Sequence, residues 1–138
     1  MSDDWSDNDL LFRQVHPSHC SEGQPNSQAF NPTPKDDGKL SVDDAQKTTP
    51  EKSHRHFTEN LGLTSAGTWA VSVEEVSDQE GLAIVVDPVE VEEDPTHNNP
   101  AHTLIDFNAL DSKGKRKRCA QALAILATAR GCLYAAAG

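Results

Sequence analysis

Residues 69–86 read Trp-Ala-Val-Ser-Val-Glu-Glu-Val-Ser-Asp-Gln-Glu-Gly-Leu-Ala-Ile-Val-Val. Two strand signals of different kinds sit in this stretch. Trp69, Val71 and Val73 alternate with small or polar residues, which reads as a half-buried strand. Glu74–Gln79 reads as a short helical turn closed by Gly81. Leu82–Val86 is an unbroken apolar run, the pattern of a central strand, and Asp87-Pro88 ends it.

Elements of both kinds flank the stretch. Leu10–Val15 reads as a strand ended by His16-Pro17, and Leu40–Val42 as a short strand. Thr49-Pro50-Glu51 is a helix start, with an N-cap hydroxyl, a proline at the first helical position and an acid in the first turn. That helix is expected to reach about Leu61, with Gly62 as its stop and His54, Phe57 and Leu61 on one face. Thr103–Phe107 reads as a strand. Ser112 to Arg130 reads as the longest helix, stopped by Gly131, with Cys119, Leu123, Leu126 and Arg130 near one face. Strands and helices intermix without a regular βαβα order. The expected fold class is therefore α+β, a small mixed sheet of four to five strands with two main helices.

One domain over residues 10–133 is expected, with residues 1–9 a mobile acidic start and 134–138 a loose end. Residues 16–39 are rich in Pro, Ser, Asn, Gln and Gly. They form either a disordered segment or a functional loop pinned by Ala29 and Phe30.

In a chain of 138 residues, 36% are hydrophobic and 5% aromatic, so any core is small and built from Val, Leu, Ile and Ala. No stretch approaches the roughly 18 apolar residues of a membrane span, and no basic start precedes an apolar run. Neither a membrane nor a secretory signal is expected. The net charge is −10, unevenly placed. Residues 1–112 hold six Lys and Arg and all 22 acids; residues 113–138 hold six Lys and Arg and no acid. The acidic body repels nucleic acid, so only the basic run Lys113–Arg118 could attract it, and that run lacks interleaved aromatics. Cationic side chains there also oppose the helix dipole, which predicts fraying or an acidic partner. Three cysteines, Cys20, Cys119 and Cys132, form no C-x-x-C pair. A disulfide framework is not expected, a reducing cytoplasm is, and Cys119 and Cys132 read as small buried thiols.

Histidines cluster. His16, His19 and Cys20 lie within five residues and are candidate metal ligands, together with His54 or His56. Their spacing matches no zinc signature, and two residues of an H-x-H helix segment point about 200° apart, so no metal is expected. A second constellation comprises Arg13 on the first strand, Ser27 in the polar loop, Ser41 on the short strand and His54 or Glu59 on the helix. Arginine clamps phosphate, hydroxyls bond a ribose, and a carboxylate stabilises an oxocarbenium-like centre. Cleavage of a nicotinamide nucleotide needs those parts. The plainer reading pairs Arg13 with an acid and gives the serines turn bonds. No phosphate-binding glycine loop and no G-x-S-x-G elbow is present.

The phrases Leu11-Phe12-Arg13-Gln14-Val15-His16-Pro17, Ser27-Gln28-Ala29-Phe30, Leu40-Ser41-Val42 and His102-Thr103-Leu104-Ile105-Asp106-Phe107 resemble, as a set, a scattered family of short bacterial proteins with no diagnostic catalytic motif. The resemblance covers residues 10–133. The order of Arg strand, polar loop, Leu-Ser-Val strand and carboxylate helix is also similar to RES-type toxins, ADP-ribosyltransferase-like proteins that consume NAD. That likeness implies Arg13 as the first-strand arginine and NAD as the ligand. The Gly-Arg-aromatic-Asn loop and strand tyrosine of RES proteins are not found here.

The expected function is that of a small acidic cytoplasmic binding or accessory protein without a cofactor. It would be an immunity-like or conflict-system factor, as in toxin–antitoxin pairs, acting through protein–protein contact. Asp87, Glu90, Glu92, Glu93 and Asp94 are the expected contacts to a partner with a basic surface. The alternative is a RES-like enzyme that binds or cleaves NAD through Arg13, Ser27, Ser41, His54 and Glu59.

Overall fold

The computed structural model describes residues 6–32 and 37–135, which form β1 (Leu10–Val15), β2 (Cys20–Ser21), β3 (Gln24–Pro25), β4 (Lys39–Asp44), α1 (Pro50–Arg55), β5 (Gly67–Ser72), α2 (Val73–Ser77), β6 (Ala83–Val86), β7 (His102–Asp106), α3 (Lys113–Arg130) and β8 (Tyr134–Ala135). Strand alternation decides the layers. In β1, Leu11 and Val15 share one face while Phe12 and Gln14 share the other, and all four are buried. Both faces of β1 must then be covered by packed layers. Six strands run in the order β6-β7-β4-β1-β5-β8, and every pairing is antiparallel. The fold class is α+β as expected, with six strands in place of four or five and no parallel pair.

α3 covers the face that carries Leu11, Val15, Val42, Val71 and Ile105. Its buried stripe is Ala120, Leu123, Ala124 and Ala127, small residues that let the helix lie close to the sheet. Leu126 is only half-buried, and Ile125 points to solvent. Ser112 caps the helix through Lys115 N–H, so the start holds despite its cations. Of the two readings of residues 16–39, the described residues 16–32 and 37–39 take the pinned one. A 3₁₀ turn at Ser27–Phe30 buries Ala29 and Phe30 completely against α3. Before it, β2 and β3 form a hairpin whose turn residues Glu22 and Gly23 both take positive φ, the geometry of a type I′ turn.

The opposite face is covered over β1, β5 and β8 by α1. Thr49 caps α1 and Pro50 opens it. The helix widens into a π-helical turn at His56–Asn60 before Gly62. Its buried residues, Ser53 and His54, are polar, because a glutamine and a threonine lie beneath them.

Three expectations change. Leu82–Val86 is not central: β6 is the sheet edge, with Val85 42% and Val86 51% exposed. An apolar run reports hydrophobicity but not the number of neighbouring strands. Tyr134 and Ala135, expected to be loose, pair with β5, and Gly67 permits it: a Cβ there would lie 2.9 Å from the Tyr134 carbonyl oxygen. Cys132 is exposed and Cys119 half-buried, and all three cysteines are free. Residues 1–5 of the expected mobile start and 136–138 of the loose end lie outside the described residues. No helix among the described residues is long and apolar enough to cross a membrane.

α2 and α3 are joined by one ion pair. Glu75 closes a capping box with Ser72 and holds Arg130 through two bonds of 2.8 and 3.1 Å. Arg130 also donates to the Ala70 carbonyl at 3.0 Å. Burial alone would raise the Glu75 carboxyl, but hydrogen bonds from Arg130 and Ser72 and the guanidinium charge outweigh it and hold it below its usual value. A depressed native pKa stabilises the fold at neutral pH, and that contribution disappears as pH falls below about 4.5 and through the native value. Glu75→Gln is therefore expected to cost about 1–2 kcal/mol at neutral pH and progressively less in acid. Urea unfolding of both proteins across that range checks it; a gap independent of pH would contradict the pairing.

Candidate functional site

The sheet face beneath α1 is left uncovered over β4, β7 and β6. Register sets what this open half displays. Asp43 of β4 lies opposite His102 of β7 and Phe12 of β1, and Ser41 lies opposite Leu104. The π-helical turn after α1 overhangs this row and brings His56, Phe57 and Leu61 to it. The result is a cleft of about 190 Å³ whose polar lining includes Ser41, Asp43, His56, Asn99 and His102.

Asp43 is the hub of this cleft. One carboxylate oxygen accepts the Ser53 hydroxyl at 2.6 Å, and the other accepts the Asn99 amide at 2.8 Å. Ser53 passes the network inward to Gln14, whose amide NH₂ donates to Ser53 Oγ at 2.8 Å and Thr68 Oγ1 at 2.9 Å. Gln14 Oε1 accepts from the hydroxyls of Ser65 at 2.9 Å and Thr68 at 3.1 Å, and lies 3.2 Å from His54 Nδ1. The His54 ring also packs on Tyr134, with centroids 5.1 Å apart. At the cleft mouth, burial pushes the His56 imidazole below its usual pKa; the Asp43 charge opposes this, and His97 and His102 add to the lowering.

The five candidate catalytic residues fall in different places. Arg13 points to the α3 side, where its Nε donates to the Ala29 carbonyl at 2.8 Å and its Nη1 to the Ser41 carbonyl at 3.0 Å. It ties β1 to the 3₁₀ turn and to β4. Ser27 begins that turn, beside Gln121, Ala124 and Ile125 of α3. Ser41 lines the 190 Å³ cleft, whereas Arg13 borders it from β1 with its side chain directed to the opposite face. His54 belongs to the buried Gln14 network, and Glu59 is exposed, 4.0 Å from Arg55. No two of the five bring their side chains into one cavity; Arg13 and Ser41 only border the same cleft. At the candidate metal ligands, His16 caps the turn at Pro17–His19 and stands 6.0 Å from the His19 ring. Burial, then the charges of Arg13 and His16, lower the His19 pKa, and burial raises the Cys20 thiol. Among the described residues no three His, Cys, Asp or Glu side chains are placed to hold a metal ion.

The acidic loop after β6 is ordered by its own bonds. Val89 and Asn99 exchange backbone hydrogen bonds of 3.0 and 2.9 Å, and Asn98 Oδ1 accepts from Val91 N–H at 2.7 Å. Two of its five expected contact residues are engaged internally. Asp87 lies 3.0 Å from His102 Nδ1. Asp94 caps the turn at Pro95–His97 and pairs with His97 at 3.2 Å; the Thr96 hydroxyl above all holds its carboxyl below the usual range. Glu90, Glu92 and Glu93 are exposed and make no ion pair among the described residues.

At the basic start of α3, Lys115 pairs with Asp111 at 3.0 Å and Arg116 donates to the Leu110 carbonyl at 3.2 Å. Lys113, Arg116 and Lys117 line a cavity of about 640 Å³ with Asp37, Gly38 and Asn108.

The Asp43 cleft was not anticipated. His56 and His102, one from each of two histidine pairs visible in the sequence, meet there, but only the β4–β7 register sets Asp43 beside them. Comparison of the chain with protein-family models, with curated proteins and with solved structures yields no match.

Proposed function

We propose that the chain is a small acidic binding protein, an accessory or immunity-like factor that meets a basic surface of a protein partner through Glu90, Glu92 and Glu93. The carrying observation is the division of labour in the acidic loop. Asp87 and Asp94 hold its shape, while three neighbouring carboxylates are exposed and make no ion pair among the described residues. Such preorganised charge steers association and selects against acidic partners. The net charge of −10 acts in the same direction. Free cysteines accord with a reducing cytoplasm as the working compartment.

A second reading, an ADP-ribosyltransferase-like enzyme that handles NAD, has one observation in its favour: Ser41 lines a cleft that Arg13 borders from β1, although the arginine side chain leaves by the opposite face. At about 190 Å³ that cleft lies below the roughly 300–1,000 Å³ of ordinary ligand pockets. Its arginine is also engaged by two backbone carbonyls.

The test is affinity capture from a lysate of the source cells at low and high salt, with wild type and with the combined variant Glu90→Gln, Glu92→Gln, Glu93→Gln. A stoichiometric partner held by wild type at low salt, and lost both at high salt and with the variant, is the expected result. No partner under either condition would overturn the proposal and move attention to NAD, to be titrated calorimetrically.

A further inference from the structure

We infer that β6 is a strand-addition edge for an extended partner segment that is basic in its N-terminal half and aliphatic at its centre. The inference deepens the reading above and takes the sign of the partner's charge from it. Among the described residues, nothing pairs with the outer side of β6. Its hydrogen-bonding phase follows from its neighbours. Asp87 N–H donates to the His102 carbonyl at 3.0 Å, and on the far side of β7 Phe107 N–H donates to the Gly38 carbonyl at 2.8 Å. Bonded pairs alternate along an antiparallel ladder, so Ala83 and Val85 turn their backbone groups toward β7. Ile84 and Val86 turn theirs outward, leaving two N–H and two C=O groups facing away from the sheet.

Protected edges carry lysine, proline or a bulge. Ala83-Ile84-Val85-Val86 has none of these, and its two valines are about half exposed. Strand addition draws affinity from such backbone groups and specificity from alternate side chains. The surrounding charge selects the occupant. Glu90, Glu92 and Glu93 follow the C-terminal end of β6, whereas Lys115 and Arg118 line, with Glu80 and Gly81, a cleft of about 410 Å³ at its N-terminal end. An antiparallel segment therefore sets its N-terminal residues beside the carboxylates, where Lys and Arg fit. A second copy is the competing occupant: antiparallel self-pairing would set Lys115 and Arg118 as well as Glu80 toward the partner's glutamates, but it joins two chains of charge −10, whereas a basic segment meets no such net repulsion.

The probe is the synthetic peptide Lys-Arg-Lys-Val-Thr-Val-Thr-Val, titrated into the full isotope-labelled chain and followed by amide hydrogen exchange. Ile84 and Val86 amides should exchange at least about tenfold more slowly with the peptide bound. Val86→Pro removes an outward donor and leaves the β7-facing groups intact, so it should weaken binding about tenfold. A peptide with Glu in place of its Lys and Arg should not bind. Shifts confined to Glu90–Asp94, with Val86→Pro binding as wild type does, would overturn strand addition while leaving the acidic-contact reading standing. No protection of Ile84 and Val86 by the peptide would overturn it too. Protection of both amides without peptide, with a mass that rises with concentration, would overturn it in favour of a second copy.

Discussion

Phe30→Ala is expected to cost about 3–5 kcal/mol, about a fifth or more of the roughly 5–15 kcal/mol stability of an ordinary domain. Phe30 has no exposed surface and is part of the cluster that α3 closes over the sheet. Its loss leaves a ring-sized cavity where a stripe of alanines cannot collapse inward. The effect should also be spatially selective. The 3₁₀ turn it anchors supplies the Ala29 carbonyl bound by Arg13, so the segment from His16 to Asn31 loses its attachment to β1. Urea unfolding should show a lower midpoint, and limited proteolysis should cut first within that segment. A cost below about 1 kcal/mol would mean that the loop is not packed as described.

The second large effect lies on the other face of the sheet. Gln14 stands at the centre of a buried network that joins Ser53, Ser65, Thr68 and His54. Removing one partner from buried hydrogen bonds costs more than the bonds contribute on balance, because the remaining groups stay desolvated. Gln14→Ala adds a cavity to that penalty. Some relief is available: Ser53 keeps Asp43, Ser65 keeps the Gly67 carbonyl, and Thr68 keeps the Pro50 carbonyl. The expected loss is therefore about 2–4 kcal/mol, short of the full sum. Gln14→Leu restores most of the volume and isolates the polar part, for which about 1–3 kcal/mol is expected. Urea midpoints for both variants check this. A neutral Gln14→Leu would show that apolar packing, not the network, seats α1 on the sheet.

What the sequence made legible was local. Thr49-Pro50 marks a helix start by the chemistry of its own side chains, and Thr49 caps as anticipated; Ser112, read only as the first residue of the longest helix, caps that helix as well. Ala29 and Phe30 stood out as apolar residues in a polar stretch, and both are buried. Features that depend on distant pairing were hidden. β6 looked central because four apolar residues in a row say nothing about which strand lies beside them. β8 was masked by its small size and its neighbouring alanines. Nothing in the strand reading of Leu10–Val15 singles out Gln14, whose burial is tolerable only because α1 supplies a polar underside. The Asp43 cleft needs residues about 60 positions apart in register, and no window of sequence contains both. The acidic loop is intermediate: its charge was plain, yet which carboxylates are held inside and which face outward emerged only from the turn at Pro95–His97 and the Asp87–His102 pair.

The most direct measurement is the association rate of the chain with its captured partner as ionic strength rises from about 0.01 M to about 0.15 M. Over that range the screening length falls from about 30 Å to about 8 Å. If Glu90, Glu92 and Glu93 steer a basic surface into contact, the rate falls at least about tenfold, and the triple glutamine variant flattens the dependence. A rate that is indifferent to salt, or a variant that follows wild type throughout, would contradict an acidic contact surface.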